Sequence, residues 1–161
     1  MLMKQSNLWI LCGPPGCGKS TWANKQDGII ISRDAIRFSL LKEDDDYFSH
    51  EDEVMNTFIS KIKEALQENE NVYADATHLG WTARNKVISR LGFKDINVYA
   101  VVFTTSVLTC LYRNERRSGR AKVPATVVKK MFYSYKDPKN DPYNYAGIIY
   151  IDADGNEVRR T

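Results

Sequence analysis

The chain has 161 residues and a formal net charge of +3, with 43% hydrophobic and 27% charged residues. This is ordinary for a soluble globular protein, and a domain of this size buries roughly 70% of its unfolded surface. No apolar run is long enough to cross a bilayer, and the apolar stretch in residues 1–13 is too short for a cleavable signal peptide. Three cysteines without a CxxC pair indicate neither a disulfide framework nor a zinc site. We therefore expect a single cytoplasmic domain over residues 1–161, with no membrane partner.

Short β-like runs alternate with segments of helical period along the chain, which is typical of an α/β sheet with crossover helices. Apolar residues at every fourth position in 54–66 mark one face of a helix. A second helix is predicted from a Thr82 cap to a stop at Gly92, a third after Ser106 and a fourth from Pro124. Five strands are predicted, at residues 8–12, 29–31, 72–74, 98–103 and 148–151.

The strongest functional signal is the sequence GPPGCGKST at residues 13–21, which contains the GxxxxGKS pattern between a strand and a plausible helix. Its glycines let the backbone N–H groups point into one concavity, and the helix adds its positive N-terminal end. Lys19 would reach the β and γ phosphates, and the Ser20 hydroxyl would bind Mg²⁺. The predicted nucleotide-binding residues of this loop are Gly13, Gly16, Cys17, Gly18, Lys19, Ser20 and Thr21.

The position of Cys17 in this loop, near a helix N-terminus and Lys19, is a setting that lowers a thiol pKa. The sequence therefore predicts that Cys17 is a reactive thiol. Cys12 lies within a strand, and we expect it to be inert.

The second strand is followed by SRDAIR at residues 32–37, where Asp34 can face the γ-phosphate. An ionised Asp34 can accept the proton of an attacking hydroxyl. Arg37 lies one helical turn later and could hold an anionic part of the acceptor. In the alternative interpretation, Asp34 only caps the helix and pairs with Arg37 on the surface.

The third strand leads into Asp75, Thr77 and His78. This order would place Asp75 near the metal and Thr77 near the path of the acceptor. A Walker B hhhhDE motif is absent, which favours phosphate transfer to an acceptor over nucleotide hydrolysis. A lone histidine in a loop is more often structural than catalytic, and the role of His78 stays open.

Charge is distributed unevenly along the chain. Residues 113–122 hold five basic residues against one acid, and a glycine break followed by Pro124 predicts a hinged lid at about 113–124. Lid arginines can offset charge over the triphosphate, although a solvated basic face is the alternative. Residues 43–53 hold seven acids and no Lys or Arg, which indicates a solvated loop before the next helix. An Asp-Gly pair at 154–155 predicts a turn that ends the last edge strand.

Together, GPPGCGKSTW, SRDAIR, ADATHL and RNERRSGRAKVP resemble the polynucleotide 5′-hydroxyl kinase family, including the kinase half of bifunctional phage enzymes and bacterial end-healing kinases. The resemblance implies an adenylate-kinase-like P-loop NTPase fold, a parallel five-stranded sheet flanked by helices with a helical lid. It also implies that Lys19 and Ser20 bind the donor phosphates and Mg²⁺. Asp34 would then be the general base, and Arg37 would grip the phosphate beside the acceptor nucleotide. Arg117 would be the lid arginine and, with Lys19 and Asp34, a catalytic residue; Arg113 and Arg117 would both bind the nucleotide. His78 stands where many relatives have asparagine.

The expected activity is transfer of the γ-phosphate from ATP or another nucleoside triphosphate to a 5′-hydroxyl end of DNA or RNA, as in nucleic acid repair. A kinase of a small molecule or sugar nucleotide, as in zeta-type toxins, is the nearest alternative. A nucleotide-binding switch module is another. The sequence leaves a homo-oligomer open.

Overall fold

The computed structural model describes residues 5–161, so residues 1–4 of the predicted domain lie outside the described residues. Six strands form one sheet in the order β2-β3-β1-β4-β5-β6. The first five strands are parallel, which confirms the predicted α/β sheet, and β1, the strand before the phosphate loop, lies between β3 and β4. The strands are β1 (Ser6–Cys12), β2 (Ile29–Ser32), β3 (Asn71–Asp75), β4 (Ile96–Phe103), β5 (Gly147–Ile151) and β6 (Glu157–Arg160).

The sixth strand departs from the five-stranded prediction. β6 pairs antiparallel with β5, and the turn between them is held by Asp152, whose Oδ1 accepts hydrogen bonds from the backbone of Asp154 and Asn156. All four residues of β6 are exposed and lack an apolar alternation. The predicted Asp-Gly turn is therefore present, but it closes a hairpin and does not end the sheet.

Six α-helices surround the sheet. α4 begins at Trp81 after Gly80, so the predicted Thr82 cap is wrong, and it ends before Gly92, which adopts a φ of 70° as a helix stop requires. α5 begins directly after Ser106, as predicted, and the side chain of Ser106 caps it. The helices are α1 (Lys19–Ala23), α2 (Arg33–Leu40), α3 (Glu51–Glu68), α4 (Trp81–Leu91), α5 (Val107–Glu115) and α6 (Ala125–Ser134).

Alternate strand residues point to opposite faces of the sheet and build two apolar clusters. One cluster packs against α3, whose predicted apolar face, from Val54 to Leu66, is buried. The other contains Leu11 and Phe103 and packs against α5 through Cys110 and α6 through Val128. No helix within residues 5–161 is long and apolar enough to cross a membrane.

Candidate active site

The phosphate loop lies between β1 and α1, at the carboxyl ends of the parallel strands. Gly16 and Gly18 adopt φ values of 81° and 103°, which side-chain-bearing residues rarely adopt. A Cβ atom at Gly16 would also lie 2.4 Å from the carbonyl oxygen of Cys110 on α5. Glycine at position 16 therefore permits both the curl of the loop and its contact with α5.

Lys19 begins α1 and lines a cleft of about 550 Å³. Its Nζ donates hydrogen bonds to the carbonyl oxygens of Gly13 and Pro14 at 2.8 and 3.0 Å, which hold the ammonium group at the loop. α1 has only five residues, so little of the expected helix dipole is available. The loop's own N–H groups and Lys19 are the main groups that could hold a phosphate.

Cys17 does not have the accessible thiol that the sequence predicted. Its side chain is 1% exposed in the core beneath the loop, where its Sγ lies 2.6 Å from the position that a Cβ atom on Gly13 would take. Only its backbone can contribute to a phosphate site, and its carbonyl already accepts a hydrogen bond from Thr105. Cys12 is also buried, and burial raises the pKa of its thiol to about 12, in agreement with an inert cysteine.

Ser20 and Asp75 both line the cleft and contact each other. The Ser20 hydroxyl donates a 2.7 Å hydrogen bond to Asp75 Oδ2, and Asp75 is 8% exposed at the end of β3. Hydroxyl and carboxylate oxygens suit Mg²⁺, which usually keeps several waters and binds one or two protein oxygens plus substrate phosphates. Residues 5–161 contain no group of three His, Cys, Asp or Glu that could hold a metal, so a dedicated protein cage is absent there. The residues present fit a phosphate-bound Mg²⁺.

Asp34 lies in the first turn of α2 and faces the cleft. Ser32, and not Asp34, caps this helix, because Ser32 Oγ accepts a hydrogen bond from the Ala35 N–H. The capping alternative is therefore wrong, whereas the predicted pairing of Asp34 with Arg37 is present. Tyr47 also donates to Asp34, at 3.0 Å, and both contacts use Oδ1. The carboxylate stays 61% exposed.

Arg37 is 3% exposed, so its ion pair with Asp34 is not a surface pair. Its Nε and Nη2 donate to the two carboxylate oxygens of Glu51 at 2.5 and 3.0 Å, and Nη1 donates to Tyr47 and Asp34. Burial alone would lower the pKa of Arg37, but the bond with Glu51 and the surrounding negative charge raise it. Each guanidinium nitrogen thus has a partner on α2, on α3 or in the loop between them.

Tyr47 and Glu51 are site residues that the sequence interpretation missed, because the acidic stretch 43–53 was assigned to a solvated loop. The structure folds this stretch back over α2, where Glu51 meets Arg37 across 14 positions of sequence. An acid in an acidic run carries no local signal for such a contact.

Arg33 is the second arginine of α2 that lines the cleft. Its Nη2 donates to Thr77 Oγ1 at 3.4 Å, and its buried Nε has no hydrogen-bond partner among the described residues. Burial, followed by the neighbouring charge of Arg37, lowers the pKa of Arg33. The structure thus places Thr77 at the cleft, as predicted, beside a guanidinium that the sequence interpretation had not used.

The basic segment runs from the end of α5 to α6 and is mostly not helical. Its one 3₁₀ turn spans Gly119–Ala121, and Arg120 Nη2 donates to the backbone carbonyls of Lys42 and Glu43. Asn114, fully buried, bonds both the N–H and the C=O of Val123 and so closes the base of the segment. The segment therefore reaches across the cleft to the loop after α2.

The two predicted lid arginines are placed differently. Arg117 is exposed and lines the cleft. Arg113 instead donates to the backbone carbonyls of Gly16 and Ala153 at 3.4 and 2.7 Å, so it connects the phosphate loop to the β5–β6 turn. Arg117 is the one of the two that can move freely toward a bound phosphate.

His78 has a structural environment, as its isolated position suggested. It is 1% exposed with φ of 42°, and its Nδ1 lies 2.7 Å from the Leu11 carbonyl oxygen. Burial lowers its pKa to about 3, so the ring is neutral at physiological pH. The preceding residue, Thr77, accepts a hydrogen bond from the Gly13 N–H, which ties this loop to the phosphate loop.

A parallel sheet with this loop, the Ser20–Asp75 pair and an acid after β2 define a P-loop kinase-type domain. The chain belongs to the AAA domain family, whose model matches residues 8–138. No curated protein matches the sequence.

Several solved structures have the same fold, all at low sequence identity. A chain of the Pnkp1/Rnl/Hen1 complex is 21% identical with a TM-score of 0.58; the match covers 74% of this chain and 42% of that chain. The PezAT toxin–antitoxin structure of Streptococcus pneumoniae is 17% identical with a TM-score of 0.67. The match covers 99% of this chain and 73% of that chain. A fungal RNA kinase is 12% identical with a TM-score of 0.63. The match covers 93% of this chain and 77% of that chain. These similarities establish the fold.

Proposed function

We propose that this chain is a polynucleotide 5′-hydroxyl kinase, which transfers the γ-phosphate of ATP or another nucleoside triphosphate to a 5′-hydroxyl end of DNA or RNA. The observation that supports this most is a single cleft that joins the phosphate loop to a carboxylate in reach of an acceptor. Lys19, Ser20 and Asp34 all line it. Similar folds in a fungal RNA kinase and the Pnkp1 complex agree with this choice of acceptor.

The residues of the cleft have separate roles in this reaction. Lys19 and the loop amides hold the donor phosphates, with Ser20 and Asp75 oriented toward Mg²⁺. Mg²⁺, when bound, supplies positive charge to the phosphate oxygens. Asp34 accepts the proton of the attacking hydroxyl through Oδ2, because Arg37 and Tyr47 both engage Oδ1. Arg117 offsets negative charge from the lid side.

The cleft also has apolar walls. Tyr47 and Phe48, and Val127 and Met131 of α6, are among the residues that line it. Phe48 is 66% exposed although it is large and aromatic. Aromatic and apolar walls suit the flat face of a nucleobase better than a polyhydroxylated sugar. This favours an acceptor that carries a nucleoside.

The test is transfer of label from γ-labelled ATP, with Mg²⁺, to 5′-hydroxyl DNA and RNA oligonucleotides. We expect labelling of 5′-hydroxyl ends and none of the matched 5′-phosphorylated ends. The Asp34→Asn variant should bind nucleotide normally and lose at least about a hundredfold in turnover, because it lacks the proton acceptor. Weak nucleotide binding by this variant would contradict a general-base role.

A kinase of a sugar nucleotide is the second candidate, because the same apolar walls would accept a nucleotide-linked sugar and the PezAT fold spans nearly the whole chain. Labelling of a sugar nucleotide without labelling of DNA or RNA would replace the proposal. Release of free phosphate alone would favour a nucleotide-binding switch.

A further inference from the structure

Two segments of opposite charge meet across the cleft. The acidic loop between α2 and α3, residues 41–50, has four acids and one lysine, and the basic segment at residues 116–124 has four Lys or Arg residues and no acid. Arg120 joins them, because its Nη2 donates to the carbonyl oxygens of Lys42 and Glu43 at 2.8 and 2.6 Å. The carbonyl oxygen of Asp45 lies 3.5 Å from the same nitrogen. Acceptors of one turn thus converge on a single guanidinium nitrogen.

The acidic loop is built from two consecutive hydrogen-bonded turns. In the first, the Asp45 side chain accepts from the Lys42 N–H at 2.8 Å, and the Asp45 N–H donates to the Lys42 carbonyl. The second turn contains Tyr47 and is closed by a 3.0 Å hydrogen bond from the Ser49 N–H to the Asp46 carbonyl. Because the turns follow each other directly, a displacement of the first is transmitted to Tyr47.

Tyr47 connects the acidic loop to the proposed general base. Its hydroxyl donates to Asp34 Oδ1 at 3.0 Å and accepts from Arg37 Nη1 at 2.9 Å. On the opposite side, the basic segment carries Arg117, which lines the same cleft. A chain of contacts therefore runs from the basic segment through Arg120 and Tyr47 to Asp34.

We propose that Arg120 is a positioning residue, which docks the basic segment on the acidic loop and so couples closure over the nucleotide to the orientation of Asp34. The inference rests on the proposed function, because it concerns the base of the same reaction. Arg120 contacts neither the donor phosphates nor the attacking hydroxyl in this role; it holds the two sides of the cleft together. Its partners are backbone carbonyls, which also accept from an ammonium group, so Arg120→Lys should keep most of the function.

Hydrogen–deuterium exchange of the nucleotide-free protein tests the docking directly. In Arg120→Met, the amides of residues 41–50 and 116–124 should exchange about 3- to 10-fold faster than in the wild type, because the contact between the two segments is lost. Arg116→Met is the matched control. It removes the same charge from the same segment, but Arg116 donates to Tyr112 on α5, so the exchange of residues 41–50 should not change. Equal exchange of residues 41–50 in Arg120→Met and the wild type would overturn the proposal.

Steady-state kinetics with a 5′-hydroxyl oligonucleotide separate positioning from phosphate binding. Arg120→Met should lower kcat by about 3- to 10-fold and change the KM for ATP by less than about twofold, and Arg120→Lys should recover most of kcat. A higher KM for ATP with an unchanged kcat would assign Arg120 to the triphosphate and overturn the proposal.

A double variant tests whether Arg120 acts through the turn that it contacts. Asp45→Ala removes the side chain that accepts from the Lys42 N–H and should displace the carbonyls that Arg120 binds. The losses of kcat in Asp45→Ala and Arg120→Met should therefore not add when the two changes are combined. Additive losses would contradict a shared contact.

The outcomes distinguish this inference from the proposed function. If the wild type labels no oligonucleotide, the proposed function fails, while the exchange experiment still decides whether Arg120 docks the basic segment. If the wild type labels 5′-hydroxyl ends and Arg120→Met exchanges faster but keeps full kcat, the kinase assignment stands and the coupling to Asp34 fails.

Discussion

Glu51 is connected through Arg37 to Asp34, the proposed general base. The Glu51 carboxylate accepts hydrogen bonds from two guanidinium nitrogens of Arg37. Arg37 in turn forms an ion pair with Asp34. Since Arg37 is 3% exposed, loss of Glu51 would leave a nearly buried cation with only part of its partners. Such a cation tends to move toward water or toward Asp34, and either movement changes the orientation of the carboxylate.

We therefore predict that Glu51→Ala lowers both stability and turnover. Glu51 is 36% exposed, so we expect a loss of about 1–3 kcal/mol in the free energy of unfolding, less than for a fully buried pair. Urea denaturation measures this loss, and kcat measures the displacement of Asp34. Glu53→Ala on the same helix is the control, because Glu53 is 60% exposed and should change stability by less than about 0.5 kcal/mol. Equal effects of the two changes would contradict the role of Glu51.

A site residue could be predicted where a short stretch of sequence around it identifies its role. The phosphate loop, Asp34 and Asp75 follow directly from strand ends and glycine spacing, and the structure places them around one cleft. Glu51 and Tyr47 were not predictable, because their role depends on how residues 41–50 fold back over α2. The buried side chain of Cys17 was missed for a related reason, since the pattern of the loop does not show which side chains point into the core.

At the scale of elements, the loop from β3 to α4 is held in an unusual conformation by His78. A φ of 42° is uncommon for residues other than glycine, and the buried ring fixes this turn to β1 through the Leu11 carbonyl. The same loop carries Thr77 and bonds the phosphate loop. The position of Thr77, the proposed acceptor-binding residue, therefore depends on a neutral histidine.

This arrangement predicts a pH dependence of stability. In the unfolded chain His78 takes up a proton near pH 6.5, but in the folded chain only near pH 3, because burial disfavours the charged ring. Between these values unfolding binds a proton, so stability should fall as the pH falls, by about 1.4 kcal/mol per pH unit.

The measurement is urea denaturation of wild type and His78→Asn between pH 7 and pH 4. Asparagine tolerates the positive φ and can still donate to Leu11, but it does not titrate. The difference in unfolding free energy between the two proteins should shift in favour of the variant as the pH falls. If the unfolding free energies of the two proteins change in parallel with pH, His78 takes up a proton as readily in the folded chain as in the unfolded chain.

The parallel strands and the helix faces of the core were easier to predict than the elements at the periphery of the fold. The five parallel strands and the buried face of α3 follow from apolar periodicity, which the chain keeps throughout the core. β6 has no such pattern, because all four of its residues are exposed and only the turn at Asp152 brings it onto β5. The segment after α5 was predicted as a lid, but the hydrogen bonds between Asn114 and Val123 are a contact that the basic sequence RNERRSGRAKVP does not reveal.

At the scale of the whole molecule, Arg84 on α4 joins segments that are far apart in sequence. It is fully buried and pairs with Asp141 through Nε and Nη2, at 2.6 and 2.8 Å. It also donates to the carbonyls of His78 and Lys136, and Tyr145 donates to Asp141. One buried polar network thereby attaches the irregular connection between α6 and β5 to the loop that carries Thr77.

We predict that Arg84→Met destabilises the protein by about 3–5 kcal/mol, because it leaves the buried carboxylate of Asp141 and two carbonyls without their partner. Arg160→Met is the matched control: Arg160 forms an ion pair with Glu157 at 2.7 Å, but its side chain is 53% exposed, and exposed pairs contribute at most about 1 kcal/mol. Thermal unfolding of both variants measures the contrast. For a protein of this size the first change should lower Tm by roughly 10 °C and the second by at most about 4 °C.

A second variant separates the cost of an unpaired carboxylate from the loss of packing. Arg84→Met combined with Asp141→Leu removes both charges and should recover part of the lost stability, as replacement of a buried ion pair by apolar side chains often does. Its kinase activity should stay below that of the wild type, because the loop of Thr77 and His78 has lost the donor to the His78 carbonyl. A double variant with full activity would show that the network stabilises the fold without positioning the acceptor loop.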